Sequence, residues 1–140
     1  MDILGYRVVK VLSESSTNIV YKAVSTEEDL VIIKTTSKKV PFQEAQQILY
    51  REYEINCKMA TLSDHFLKPI AFLKNQGQVA IVWSGDSGLK TLRAILEKEG
   101  YFSVERFLHL SYQFTEAMHP LHAAGYLHRD VSARNVLINP

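Results

Sequence analysis

Short runs of β-branched and aromatic residues, separated by polar turns, dominate the first part of the chain. Five such runs predict strands: Tyr6–Leu12, Asn18–Val24, Leu30–Lys34, Phe66–Leu73 and Val79–Trp83. Small polar residues separate the first three runs, and Asn75-Gln76-Gly77 is a turn signal between the last two. Because consecutive strands tend to be neighbours, the pattern predicts a five-stranded antiparallel sheet.

Apolar residues recur with helical spacing in Pro41–Leu62, and Pro41 suits a first helical turn. The predicted apolar stripe consists of Ala45, Ile48, Ile55 and Met59. Glu52 lies within this stripe, where a carboxylate is unfavourable unless it is paired. Lys34, at the end of the third predicted strand, is the nearest candidate partner. The pattern alone equally allows a partly exposed Glu52 and a Lys34 that reaches solvent.

The second part of the chain is helical and follows the small, flexible segment 84–88. Leu89–Glu97 predicts a short amphipathic helix, and Ser103–Ala124 predicts a longer one that begins with an N-cap serine. The stripe of the longer helix consists of Phe107, Leu110, Phe114, Ala117, Met118 and Leu121. Because Pro120 removes a helical hydrogen bond, we expect a bend or an early end near His119.

The overall composition is that of a globular protein, with 46% apolar and 22% charged residues. A formal net charge of +1 gives no reason to expect a nucleic acid or an anionic membrane as a partner. Cys57 is the only cysteine, which excludes an intrachain disulfide. The first residues do not resemble a secretion signal and no apolar run is long enough for a bilayer, so we expect a cytoplasmic location.

Three histidines, His119, His122 and His128, lie close together in the sequence. They could form a metal site, or they could be ordinary structural histidines. No cysteine, and no carboxylate at a familiar ligand spacing, completes a ligand set. The ordinary explanation is therefore the better one.

The stretch from His128 to Asn135 follows the longer helix and precedes the apolar run Val136–Ile138. Its order His-Arg-Asp-Val, followed by Asn five residues after the Asp, resembles the protein-kinase catalytic loop H-R-D-L-x-x-x-N. The likeness extends along nearly the whole chain in the family's order, from the loop hairpin through the strand lysine, helix glutamate and hinge to this loop. A narrower likeness over Ile3–Val24 is to the kinase-like domain of large hybrid sensor kinases.

The resemblance implies an α+β, protein-kinase-like fold. A five-stranded N-lobe with one helix would cover residues 1–83, a hinge residues 84–88, and the first helices of an α-rich C-lobe residues 89–140. The implied activity is ATP-dependent phosphoryl transfer to a Ser/Thr or Tyr hydroxyl of a protein substrate, with ATP and Mg²⁺ as cofactors. The ending Ala133-Arg134-Asn135 leans toward tyrosine kinases, whereas the sensor-kinase likeness leans toward serine/threonine, and the choice stays open.

Carried over position by position, the resemblance makes Asp130 the catalytic base and Asn135 a magnesium ligand. Lys34 would contact the ATP phosphates, and Glu52 would hold Lys34 in place. The remaining implied nucleotide-binding residues are Ser13, Ser15, Asn18, Val20, Ile32, Trp83 and Gly85.

The sequence departs from the family pattern around the nucleotide. Ser13, Ser15 and Asn18 stand where the family has three glycines, which let the backbone approach phosphates closely. Ile32 replaces a small alanine, and Trp83 lies at or near the gatekeeper position, so both would narrow the adenine pocket. These departures favour an alternative function, a catalytically weak or inactive kinase-like binding module.

Two further expectations concern the second half. The family's D-F-G motif, which supplies another magnesium ligand, would follow Pro140, so efficient transfer is not expected from these 140 residues alone. The apolar face of helix 107–121 is expected to be exposed and could dock a partner chain.

Overall fold

The computed structural model describes residues 1–86, 88–129 and 131–139. Within these residues the chain forms eight strands and three helices. The chain divides into two compact units, Met1–Thr61 with Leu67–Ser87 and Leu62–Phe66 with Gly88–Pro140. In the described ranges, no helix combines the length and the apolar character that crossing a membrane requires.

An antiparallel sheet of six strands, counted over the described residues, forms most of the first unit. Its strands are β1 (Asp2–Ile3), β2 (Tyr6–Glu14), β3 (Asn18–Val24), β4 (Leu30–Thr36), β5 (Pro69–Asn75) and β6 (Gln78–Ser84). The spatial order is β1-β2-β3-β4-β6-β5, so β6 lies between β4 and β5. Together with the helices, this sheet confirms the predicted α+β class.

The predicted count of five strands is wrong, because β1 adds a short strand at the sheet edge. Ile3 pairs with Tyr6 across the two-residue turn Leu4-Gly5, and both turn residues have positive φ, 50° and 91°. Positive φ at both central positions is the geometry of a tight hairpin. Two residues are too few to produce a period-two pattern, so the sequence could not reveal this strand.

The turn between β5 and β6 was correctly predicted, but the start of β5 was not. Gln76 and Gly77 have φ values of 36° and 86°, and Asn75 pairs with Gln78. The strand begins at Pro69 rather than Phe66, since the N–H of Phe66 donates to the Ser63 carbonyl at 3.4 Å in a turn.

The two faces of the sheet have different environments. One face forms a core of Ile3, Tyr21, Ala23, Val31, Ile33, Ala80 and Val82. Because side chains alternate along a strand, Lys34 lies on the face opposite to Ile33. That second face carries Lys34, one of the residues of the nucleotide site predicted from the sequence.

Helix α1 (Phe42–Leu62) follows β4 and is rotated relative to the expected stripe. Its buried residues are Ala45, Leu49 and Met59. Ile48 and Ile55 are 50% and 43% exposed, so the predicted stripe is wrong at these two positions. Glu52 lies three residues after the fully buried Leu49 and is half-buried on the inward side.

Aromatic packing against β5 explains the rotation of α1. The rings of Tyr50 and Tyr53 lie 5.3 and 5.8 Å from the ring of Phe72, measured between centroids. Such contacts stabilise beyond simple burial. With these two tyrosines beside Phe72, Leu49 rather than Ile48 is the buried residue of the helix.

The second unit is built from short strands and two helices. Its elements are β7 (Lys90–Thr91), α2 (Leu92–Glu99), α3 (Val104–Ala123) and β8 (Leu137–Ile138). Ser103 is the predicted N-cap of α3, and its Oγ accepts from the Arg106 N–H at 3.2 Å. The helix continues through Pro120 to Ala123, so an early end near His119 is wrong.

The expected apolar stripe of α3 is only partly covered within the described residues. Leu121 is buried at 3% exposure, whereas Phe107 and Phe114 are 59% and 38% exposed. Leu108 and Tyr112, outside the predicted stripe, are also exposed. The helix therefore presents large apolar side chains over much of its length.

The rotation of α1 gives a direct test of the packing. Leu49→Ala should lower the free energy of unfolding by about 2–5 kcal/mol, because it leaves a cavity in a fully buried position. The matched variant Ile48→Ala, one residue away and half-exposed, should lower it by less than about 1 kcal/mol. Urea unfolding followed by circular dichroism measures both. Equal losses, or the reverse order, would contradict the rotation described above.

Candidate functional site

An ion pair joins the sheet to α1 on the face opposite the core. Lys34 Nζ donates to both carboxylate oxygens of Glu52, at 2.8 and 2.9 Å. The two side chains are 22% and 32% exposed, so the pair is partly withdrawn from water. Of the two explanations left open by the sequence pattern, the structure has the paired one.

Fully buried neighbours position both partners of this pair. Ile33 on β4 and Leu49 on α1 are both 0% exposed and anchor their elements. The backbone carbonyl of Glu52 also accepts from the Asn56 Nδ2 at 2.7 Å. The lysine ammonium is thus held by two elements whose positions are set by packing.

Strand register brings several predicted nucleotide residues into one row with Lys34. Ser13 pairs with Val20, and Val20 pairs with Lys34. Directly paired residues of antiparallel strands point to the same side of the sheet. Ser13, Val20 and Lys34 therefore share the face opposite the core.

A neighbouring row contains the two bulky residues predicted near adenine. Ile32 pairs directly with Trp83, and each is only 7% exposed. Both lie on the same face as Lys34. Ile32 is two residues before Lys34 on β4, so the two side chains point to the same side. This part of the face is consequently filled by large apolar side chains.

Gly85 continues the β6 side of the sheet beyond the last strand residue. Its N–H donates to the Leu30 carbonyl at 2.9 Å. A Cβ at this position would lie 3.1 Å from the backbone C and O of Leu30 and 3.2 Å from the Val31 N. The glycine therefore permits a close backbone approach, and its amide is already engaged with β4.

The turn in the place of the family's glycine loop is closed by its own side chains. Ser15 Oγ accepts from the N–H of Thr17 at 3.3 Å and of Asn18 at 3.0 Å. The N–H of Ser15 donates to the Asn18 carbonyl at 2.8 Å. Ser15 and Asn18, two of the predicted nucleotide residues, thus contact each other in the turn.

In the second unit, the segment after the His-Arg-Asp motif is fixed on the start of α2. The N–H groups of Leu92 and Arg93 donate to the carbonyls of Val136 and Ala133, at 2.8 and 2.9 Å. The strands β7 and β8 pair in the same place. These bonds satisfy amides that the first turn of a helix leaves without helical partners.

This connection between α2 and the motif segment was not predicted from the sequence. A usable signal was present, because Thr91 is an N-cap whose Oγ1 accepts from the Ala94 N–H at 3.1 Å. An N-cap at Thr91 would have placed the helix start at Leu92 instead of Leu89. The apolar run around Leu137 was a second signal, because it forms the strand β8 that pairs with β7.

The predicted catalytic residues of the motif are only partly described. Asp130 lies outside the described residues, so its role stays a prediction. Asn135 is exposed, and its N–H donates to the Ser132 carbonyl at 3.0 Å. Arg129 has a φ of 64°, a left-handed conformation that is uncommon for residues other than glycine and often occurs at functional segments.

A groove of about 640 Å³ lies between the C-terminal half of α3 and the described residues Leu127, His128, Arg129 and Val131. The three histidines of the sequence pattern, His119, His122 and His128, line it together with apolar residues such as Met118. Over the described ranges, no group of three or more His, Cys, Asp or Glu side chains gathers where it could hold a metal ion. Apolar atoms contribute most of the surface that lines this groove.

Comparison with known proteins assigns the family. Residues 7–140 match the family described as protein tyrosine and serine/threonine kinase, and the chain belongs to that family. The chain is also similar to a curated protein, serine/threonine-protein kinase PLK4 of Danio rerio, with 27% identity over 135 residues. That alignment covers 95% of this chain but only 14% of the relative's length.

The Lys34–Glu52 pair should contribute measurably to stability without any ligand. A double-mutant cycle with Lys34→Ala and Glu52→Ala should give a coupling energy of about 1 kcal/mol, because the contact is bidentate and partly buried. Chemical unfolding at low salt measures it.

The matched control is the Arg7–Glu28 pair, whose side chains are 60% and 76% exposed at a distance of 3.3 Å. Its coupling energy should be close to zero, as is usual for exposed pairs. Equal coupling energies in the two pairs would contradict the stronger interaction that we expect between Lys34 and Glu52.

Proposed function

We propose that this kinase-family chain binds Mg-ATP on the Lys34 face of its sheet and serves phosphoryl transfer to a protein hydroxyl. The observation that carries the proposal is the bidentate contact between Lys34 and Glu52, at 2.8 and 2.9 Å. A lysine held in this way presents a fixed positive charge next to Ser13 and Val20. Such preorganised charge is what phosphate binding and transfer require.

The donor inventory of Lys34 supports a role as phosphate anchor. An ammonium group has three N–H donors, and two of them are directed at the Glu52 carboxylate. The third can donate to a phosphate oxygen without loss of the ion pair. Glu52 thereby orients the lysine and would not itself contact the nucleotide.

The remaining roles follow from the family assignment and from the accessible positions of the motif. Bound Mg-ATP supplies the transferable phosphoryl group together with metal charge on its phosphates. Asn135 is exposed, and its side-chain oxygen is of the type that Mg²⁺ prefers. Asp130 would orient the substrate hydroxyl and accept its proton.

The acceptor is proposed to be a serine or threonine hydroxyl. The support is the name of the relative from Danio rerio, a serine/threonine-protein kinase at 27% identity. The sequence Ala133-Arg134-Asn135 favours the tyrosine alternative. Phosphoamino-acid analysis of the product distinguishes the two.

A second candidate function is a kinase-like module that docks another chain without transferring phosphate. Ile32 and Trp83 favour it, because they fill the face where adenine would lie and are each 7% exposed. The exposed apolar side chains of α3, such as Phe107 and Tyr112 at 59% and 65%, would form the docking surface. The two functions differ in their response to nucleotide.

Thermal unfolding with Mg-ATP tests the proposed nucleotide site. Saturation at one hundred times Kd should stabilise the chain by about 2.7 kcal/mol, seen as a rise in Tm. Lys34→Ala should remove the response, whereas Lys38→Ala, in the exposed turn after β4, should keep it. No response of the unmodified chain at millimolar Mg-ATP would contradict the proposal and favour the docking module.

Asp130→Asn separates binding from chemistry. In the protein as it occurs naturally, it should reduce phosphoryl transfer by about 10²–10⁴-fold, because it removes the proton acceptor. The Tm response to Mg-ATP should persist, since the lysine anchor is unchanged. Transfer measured with radiolabelled ATP at an undiminished rate would rule out Asp130 as the base.

A further inference from the structure

We propose that hydrogen bonds of Ser15 and Ser37 hold the β2–β3 turn, residues 15–18, in one conformation, here termed the lock. In this conformation the main-chain amides of the turn do not bind nucleotide phosphates. The inference rests on the proposed nucleotide site and assigns phosphate binding on this face to Lys34 instead of to the turn. It concerns the region where the sequence departs furthest from the family's glycine pattern.

The first part of the lock lies within the turn. Three amides, those of Ser15, Thr17 and Asn18, already donate to acceptors inside the turn, at 2.8, 3.3 and 3.0 Å. An amide with an internal acceptor can donate to a phosphate only after that bond is broken. The hydroxyl of Ser15 is the common acceptor for two of the three.

The second part of the lock comes from the end of β4. The N–H of Ser37 donates to the Thr17 carbonyl at 2.7 Å, and Ser37 Oγ donates to the Ser16 carbonyl at 2.8 Å. Ser37 lies three residues after Lys34 on the same chain segment. These hydrogen bonds connect the turn directly to the strand that carries Lys34, so the turn cannot move independently of that strand.

Backbone conformation supports the same conclusion. Anion-binding nests place successive N–H groups toward a ligand by alternating right- and left-handed residues. Among the described residues, those with positive φ include Leu4 and Glu28 on either side of this hairpin but none from 13 to 18. The turn thus has neither available amides at three positions nor the conformation that would aim them at a phosphate.

Hydrogen exchange of the nucleotide-free protein, followed residue by residue by NMR, tests the lock. Ser15→Ala should raise exchange at the Thr17 and Asn18 amides by about fivefold or more, since each loses its acceptor. Ser37→Ala should raise exchange at the same amides by loosening the turn, and Ser37→Thr should restore the slow rates. Unchanged exchange in Ser15→Ala would overturn the lock.

Ser25→Ala is the matched control. Ser25 Oγ accepts from the N–H groups of Glu27 and Asp29, at 3.2 and 3.1 Å, in another turn of the same sheet. Its replacement should raise exchange at those two amides and leave Thr17 and Asn18 unchanged. Faster exchange at all four amides would indicate general loosening of the sheet and would count against a local lock.

Repeating the exchange with saturating Mg-ATP tests the consequence for phosphate binding. Exchange at Thr17 and Asn18 should slow no more than exchange at the control amides of Glu27 and Asp29, while Tm rises. Additional slowing confined to Thr17 and Asn18 on saturation would overturn the inference, because it would mean that they bind phosphate. If Tm does not respond, the proposed nucleotide site fails, and the Ser15→Ala result still decides whether the lock exists.

Discussion

The pairing of one carboxylate with one ammonium between a helix and a sheet is the constraint on which the rest of this structure depends. Glu52 lies on the inward side of α1, where an unpaired carboxylate is strongly unfavourable. Lys34 meets that requirement only because β4 places it opposite the core residue Ile33. The same contact therefore joins the helix to the sheet and orients a positive charge on the sheet face opposite the core.

Much of the first unit could be predicted from the sequence because its signals are local. The strand Asn18–Val24 agrees with its predicted bounds, and the Gln76-Gly77 turn has the positive φ values that its composition suggests. The exact rotation of α1 could not be predicted, because it depends on tyrosines meeting Phe72 from a distant strand. The predicted stripe contained Ile48, whereas tertiary packing buries Leu49 instead.

The candidate site likewise has some features that the sequence indicates and others that only the structure reveals. A charge within an apolar stripe is visible without a structure, so the sequence pattern singled out Lys34 and Glu52 as candidates but left their pairing open. It did not identify the roles of Ser37 or Leu92, whose hydrogen bonds reach residues far away in the sequence. Polar turns also have similar compositions, so the internal hydrogen bonds of Ser15 could be identified only from the structure. The Lys34 face combines a lysine held by an ion pair, two bulky apolar residues and a turn with internal hydrogen bonds. This arrangement differs from a flexible glycine loop that closes over phosphates.

Calorimetric titration of Mg-ATP into the unmodified chain and into Glu52→Gln tests the central claim most directly. The substitution keeps the size and shape of residue 52 but removes the charge that holds Lys34. We expect Kd to rise by about tenfold in Glu52→Gln, since the lysine loses a charge-assisted bidentate partner. The same Kd in both proteins would contradict the claim that Glu52 prepares Lys34 for phosphate.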